Sequence, residues 1–221
     1  MTLYRLLSIA TGVVPVLLFF GIAAGIKMYR YLEPKYRYMI IYLTICLTID
    51  LVSRAVGELY GNNLIFIVVF SLLELLFFYI YYTVFLLKRK IMTFGMITAA
   101  ACLYILFEAF ILKDISPKEF QPYSKVICSF TIILMAINCF FEQLSEEQQD
   151  NVTLKQNSAF IIYFSLNLIF FLPVNFLINV ASSVKFFFWC ANFLLTVSFY
   201  IFLSREIWKN GLTRKQLQSG S

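Results

Sequence analysis

Seven long apolar stretches separated by short polar segments set the pattern of this chain. They cover residues 6–28, 38–57, 64–87, 91–112, 123–141, 158–180 and 185–203. Each is close to or above the ~20 residues that a helix needs to cross ~30 Å of hydrocarbon. Apolar residues run continuously instead of alternating with period two, which argues against a β-barrel. The pattern predicts an all-α polytopic membrane protein, a seven-transmembrane-helix bundle. It reads as a single transmembrane domain over residues 1–221, with a short basic tail at 204–221. The first stretch is longer than the apolar core of a signal peptide, and Lys27 and Arg30 follow it as after a stop-transfer span, so it is read as a mature helix.

The polar segments give an orientation. Of the 18 Lys and Arg, twelve fall after the first and third stretches, at Lys155 and in the tail. The other six are Arg5, Arg54, Lys185 and, in the outer loop after the fourth stretch, Lys113, Lys118 and Lys125. The richer side is cytoplasmic by the positive-inside rule. Seven spans then put the N-terminus outside and the C-terminus in the cytoplasm. In this arrangement Asn151-Val152-Thr153, a sequon by pattern, lies in a cytoplasmic loop and stays unmodified. That loop also holds Glu142, Glu146, Glu147 and Asp150, a solvated acidic connector.

Composition narrows the chemistry. The chain is 61% hydrophobic and 14% charged, against roughly 25% charged in soluble domains. It has no histidine, which removes His-based metal sites and catalytic triads together. The five cysteines all lie in apolar stretches without a C-x-x-C spacing and read as small packing residues. No metal, cofactor or catalytic set is expected. The net charge of +6 follows from the loops and calls for a lipid bilayer, not a nucleic acid, as partner.

Polar residues inside the apolar stretches carry the candidate site. A mid-membrane charge costs about 2.5–3.5 kcal/mol on insertion scales, so such residues should turn inward and pair. Asp50 and Arg54 stand four apart on one face of the second helix. Glu74 lies near the middle of the third helix, and Glu108 in the outer half of the fourth with Tyr104 one turn away. Asn175 and Asn179 share a face of the sixth helix with Asn167, and Pro173 between them predicts a kink and a hinge. Asn192 lies on the seventh. Asp50, Arg54, Glu74, Glu108, Asn175, Asn179 and Asn192 are therefore the predicted ligand-binding or ion-pathway residues, lining an outward-facing polar pocket within an apolar shell. The alternative for each is interhelical glue. Gly21 and Gly25 form a G-x-x-x-G, read either as packing within the chain or as a homo-oligomer face.

The central lysine of retinal proteins and the Asp-Arg-Tyr of G-protein-coupled receptors are both missing from their expected places. Residues 70–77 (FSLLELLF) and 157–164 (NSAFIIYF) instead resemble small seven-helix membrane proteins of Bacteroidota, a family of unknown function. The resemblance covers most of the chain and implies a bacterial inner membrane. The function expected is that of a membrane sensor or accessory subunit, more readily not an enzyme. It would bind a small-molecule ligand and signal through a separate cytoplasmic or membrane protein partner. A small-solute or ion transporter using the intramembrane acids as a relay is the alternative, and a membrane-embedded lipid-modifying enzyme the second alternative.

Overall fold

The computed structural model describes residues 10–87, 92–111, 123–145, 150–176 and 182–219. Regular structure among them is helical throughout. The helices are α1 Val13–Met28, α2 Pro34–Tyr60, α3 Ile65–Tyr81, α4 Met92–Ile111, α5 Tyr123–Leu144, α6 Asn151–Phe176 and α7 Ser182–Ser219. A 3-10 turn, Tyr29–Tyr31, follows α1, and a π-helical turn, Tyr82–Leu86, extends α3. Among the described residues six helical stretches, all but α6, are long and apolar enough to cross a membrane. Large apolar side chains such as Phe20, Val84, Phe107 and Phe110 are exposed on them. Contiguous apolar surface on this scale calls for a hydrocarbon solvent. This is the architecture of a helical membrane protein.

Local chemistry sets the helix ends. Pro34 opens α2 at the first helical position, where a missing N–H costs nothing. The Glu33 carbonyl before it accepts the amides of Tyr36 and Arg37 at 3.0 and 3.1 Å. After α2 comes Gly61 with a φ of 70°, the left-handed conformation that ends a helix at least cost. Asp150 caps α6: one carboxylate oxygen accepts the Val152 amide at 3.1 Å and the other the Thr153 hydroxyl. These signals explain why α2 and α6 start several residues before the apolar stretches 38–57 and 158–180. Hydropathy marks the part of a helix that suits lipid, whereas caps mark where the helix begins.

The chain divides into two compact units. The first comprises Met1–Leu59 with Trp189–Ser221. Here α1 meets α2 and α7 at its two buried glycines. A methyl on Gly25 would stand 2.7 Å from Ile40 Cδ1 and Cγ1, and one on Gly21 2.2 Å from Ser204 Oγ. The close approach that the glycines permit is therefore made within the chain, to its own α2 and α7. The last helix also runs past Leu203, the expected end of the seventh span, to Ser219. Gly211 lies against Met28, and Asn210 Oδ1 accepts the Glu33 amide at 3.2 Å. Arg214 pairs with Glu33 at 3.3 Å, and the Lys27 ammonium sits 5.9 Å from the Trp208 ring centre. The segment that reads as a tail is thus held as helix by the α1–α2 turn.

The second unit comprises Tyr60–Phe188. Its centre is α5, which packs against α3, α4 and α6. Rings from α3 and α6 interlock beside it. Phe78 meets Phe164 and Phe160 edge-to-face at 4.8 and 5.2 Å, the arrangement that aromatic quadrupoles favour.

Candidate functional site

The buried side of α3 follows helical spacing through Val68, Ser71, Glu74, Leu75, Phe78 and Tyr81. Glu74 is fully buried, so its position on that stripe aims a carboxylate at the neighbouring helix α5. There it meets Lys125. The ammonium forms a buried ion pair with Glu74 Oε2 and lies 4.7 Å from the centre of the Phe70 ring. Cys128, one turn along α5, donates its thiol to the same carboxylate oxygen at 3.6 Å. Two charges removed from water cost several kcal/mol each, and only close pairing with additional hydrogen bonds compensates. Glu74 has both, through Lys125 and Cys128, and the ammonium adds the face of the Phe70 ring.

This overturns the placing of Lys125 among the outer-loop charges. It stands in the first turn of α5 and is only 4% exposed. Its long alkyl stem lies in apolar surroundings while its head meets the acid. A lysine at the edge of an apolar stretch looks interfacial in sequence. The usable signal was the row of small residues on α5, with Ser124, Cys128, Ser129, Ala136 and Cys139 all buried. Such a row marks a helix crowded by neighbours, and Lys125 belongs to its buried face.

Glu108 occupies the end of the α4 stripe Thr98, Ala101, Ile105, Glu108. Both carboxyl oxygens are buried without a hydrogen-bond partner among the described residues, and so is the hydroxyl of Ser124. Ser124, the neighbour of Lys125, faces this carboxyl with its amide and hydroxyl, outside hydrogen-bonding geometry. The Tyr104 hydroxyl is within electrostatic range of both Glu108 and Tyr123. Two of the predicted acids therefore lie at the same end of the second unit. One is matched by a lysine and the other has no hydrogen-bond partner among the described residues.

The other predicted residues divide differently. Asp50 and Arg54 belong to the first unit and form a two-pronged pair at 2.8 and 3.1 Å. Arg54 also donates to the Thr11 carbonyl at 2.9 Å, tying α2 to the start of α1. Both side chains are about one-third exposed, and the guanidinium is satisfied by protein groups. Asn192, also of the first unit, is half-buried with its Oδ1 unpartnered. On α6, Asn167 is buried and donates to its own helix, at the Tyr163 carbonyl, 3.4 Å away. The backbone is helical on both sides of Pro173. The side chains of Pro173 and Asn175, and Asn179 altogether, lie outside the described residues.

A second polar cluster was not anticipated. The Tyr82 hydroxyl donates to Asn157 Oδ1 at 2.8 Å, and Asn157 Nδ2 donates to the Ala136 carbonyl at 2.8 Å. This chain of bonds joins α3, α6 and α5 beside the π-helical turn, with every member buried. A tyrosine inside an aromatic run gives no sequence signal of such a role. No group of three His, Cys, Asp or Glu able to hold a metal occurs among the described residues. Comparison with known proteins found no match: no family model, curated protein or solved structure is similar to this chain.

Proposed function

We propose that this is a seven-span sensor or accessory subunit whose ligand-responsive group is Glu108. In this reading α6 supplies the seventh span, the N-terminus is outside and the C-terminus cytoplasmic. The membrane proposed is a bacterial inner membrane. The observation that carries the reading is the Glu108 carboxyl, buried with neither oxygen hydrogen-bonded among the described residues. A buried polar group in that condition costs about 1–3 kcal/mol, which a ligand supplying donors would recover. The neighbouring Glu74–Lys125 pair is already satisfied and acts as a bolt between α3 and α5. Ser124 faces Glu108 and adjoins Lys125, so a ligand at Glu108 bears on that bolt through one turn of α5. The inner loops and the basic end of α7 are the surface offered to a cytoplasmic partner.

A small-molecule library screened by thermal unfolding in nanodiscs tests this. A sensor yields a compound class that stabilises the wild-type chain and not Glu108→Gln, and that does not accumulate in proteoliposomes. Equal stabilisation of both forms by every active compound would remove Glu108 from the mechanism. The grouping of Glu74, Lys125 and Glu108 in one unit supports a transporter as second reading, with the acids as a proton or cation relay. That reading requires uptake driven by a proton or sodium gradient and abolished by Glu74→Gln.

A further inference from the structure

We infer that the Glu108 site takes a primary ammonium group. The inference rests on Glu108 as the ligand-responsive residue and names the chemistry it answers to. The groups at the site are the two oxygens of Glu108, the Ser124 hydroxyl and amide that face them, and the Tyr104 hydroxyl within electrostatic range, with the Tyr123 hydroxyl within range of Tyr104. Glu108 is 9% exposed and has no hydrogen-bond partner among the described residues. The nearby cation, Lys125, is engaged by Glu74. Among the described residues the site therefore holds a buried acid that no cation engages, beside hydroxyls that can accept as well as donate.

A primary ammonium has three N–H donors and no acceptor, which matches a carboxylate beside two hydroxyls. A divalent ion fits poorly, because six or more oxygens and several carboxylates are its usual complement. Tyr104, within electrostatic range of Glu108, is 39% exposed, so its ring is open to an incoming cation. Phe107 and Phe110 are exposed on the same helix and offer an apolar bed for an alkyl chain. The rise of α4 from Met92 to Glu108 is about 24 Å, which brings the carboxyl towards one edge of a ~30 Å core. The ammonium can belong to a free alkylamine or to the ethanolamine head group of a phospholipid.

The test uses the full chain in phosphatidylcholine nanodiscs, titrated with n-butylammonium chloride and followed by thermal unfolding. Sodium chloride and tetramethylammonium chloride at equal ionic strength serve as controls. The expected result is a saturable rise in melting temperature with n-butylammonium alone. Glu108→Gln should weaken the apparent affinity about ten-fold or more, and Tyr104→Phe by a smaller factor. Tyr104 is half-exposed, so its variant keeps the test open should Glu108→Gln not fold. Ethanolamine phospholipid in the disc suppresses the rise if the head group is the source, and leaves it intact if a free amine is. Cooperative unfolding with no saturable rise in either kind of disc overturns the ammonium site, as does an equal rise in Glu108→Gln. A non-amine compound that stabilises wild type but not Glu108→Gln also overturns it, yet leaves the sensor reading standing. If no compound of any class discriminates the two forms, both fall.

Discussion

Glu74 and Lys125 show what a membrane interior demands of single residues. Neither tolerates the other's removal, because the survivor becomes a lone charge away from water. Glu74→Gln or Lys125→Met alone should lower stability by about 3–5 kcal/mol. The combined Glu74→Leu/Lys125→Met chain should regain most of that loss, since apolar replacements of buried pairs are often neutral. Reversible unfolding in mixed micelles measures both; equal losses in the single and double variants would contradict the pairing. The Asp50–Arg54 pair is chemically similar but about one-third exposed. Asp50→Asn should therefore cost about 1 kcal/mol or less in the same assay. Tyr82→Phe leaves the buried Asn157 acceptor without its donor, and a loss of about 1–3 kcal/mol is expected. These differences follow from burial, which composition cannot supply. The sequence marked Glu74 as needing a partner, but the partner sits 51 residues away on another helix.

At the scale of elements, helix existence was legible and helix extent was not. The apolar stretches mark seven helices because ~20 continuous apolar residues admit one economical conformation in lipid. The ends obey other rules: Pro34 and Asp150 start α2 and α6 outside those stretches, and α7 continues through Arg205, Lys209 and Arg214. A polar helix of that kind is marginal alone and persists where something holds it. Here Glu33 receives Arg214, its amide is bound by Asn210, and Gly211 lets α7 reach α1. A Cβ at Gly211 would stand 2.6 Å from Met28 Cβ, an atom fixed by the backbone that no side-chain rotation moves. Gly211→Leu should detach this end of α7. Cleavage by trypsin at Arg214 and Lys215 in inverted vesicles should then speed up several-fold, with no change in the yield of protein in the membrane.

For the whole molecule, seven spans and the charge asymmetry of the loops predict that the chain ends lie on opposite sides of the membrane. Alkaline phosphatase and green fluorescent protein fusions should report an external N-terminus and a cytoplasmic C-terminus. Both ends on one side would leave an even number of spans, and the outward-facing assignment of Glu108 would go with it. Of the seven residues of the predicted pocket, the Asn175 side chain and Asn179 lie outside the described residues, and the other five divide between the units. Asp50, Arg54 and Asn192 belong to the first unit, Glu74 and Glu108 to the second. Sequence spacing ranks residues by their need for a partner, and that ranking selected Glu108 and Glu74 correctly as inward-facing. It could not assign them to units, because helix order along the chain does not state which helices touch.

The amino-acid order alone determined that this chain is helical and suited to a bilayer, because hydrocarbon accepts uninterrupted apolar segments only when their backbone bonds close internally. It also determined that the buried acids must turn inward. Tertiary structure decided who meets them: Lys125 for Glu74, Ser124 and Tyr104 near Glu108, Asn157 for Tyr82. Those choices depend on helix rotation and pairing, which are set by side-chain packing across the whole unit and leave no trace in local periodicity.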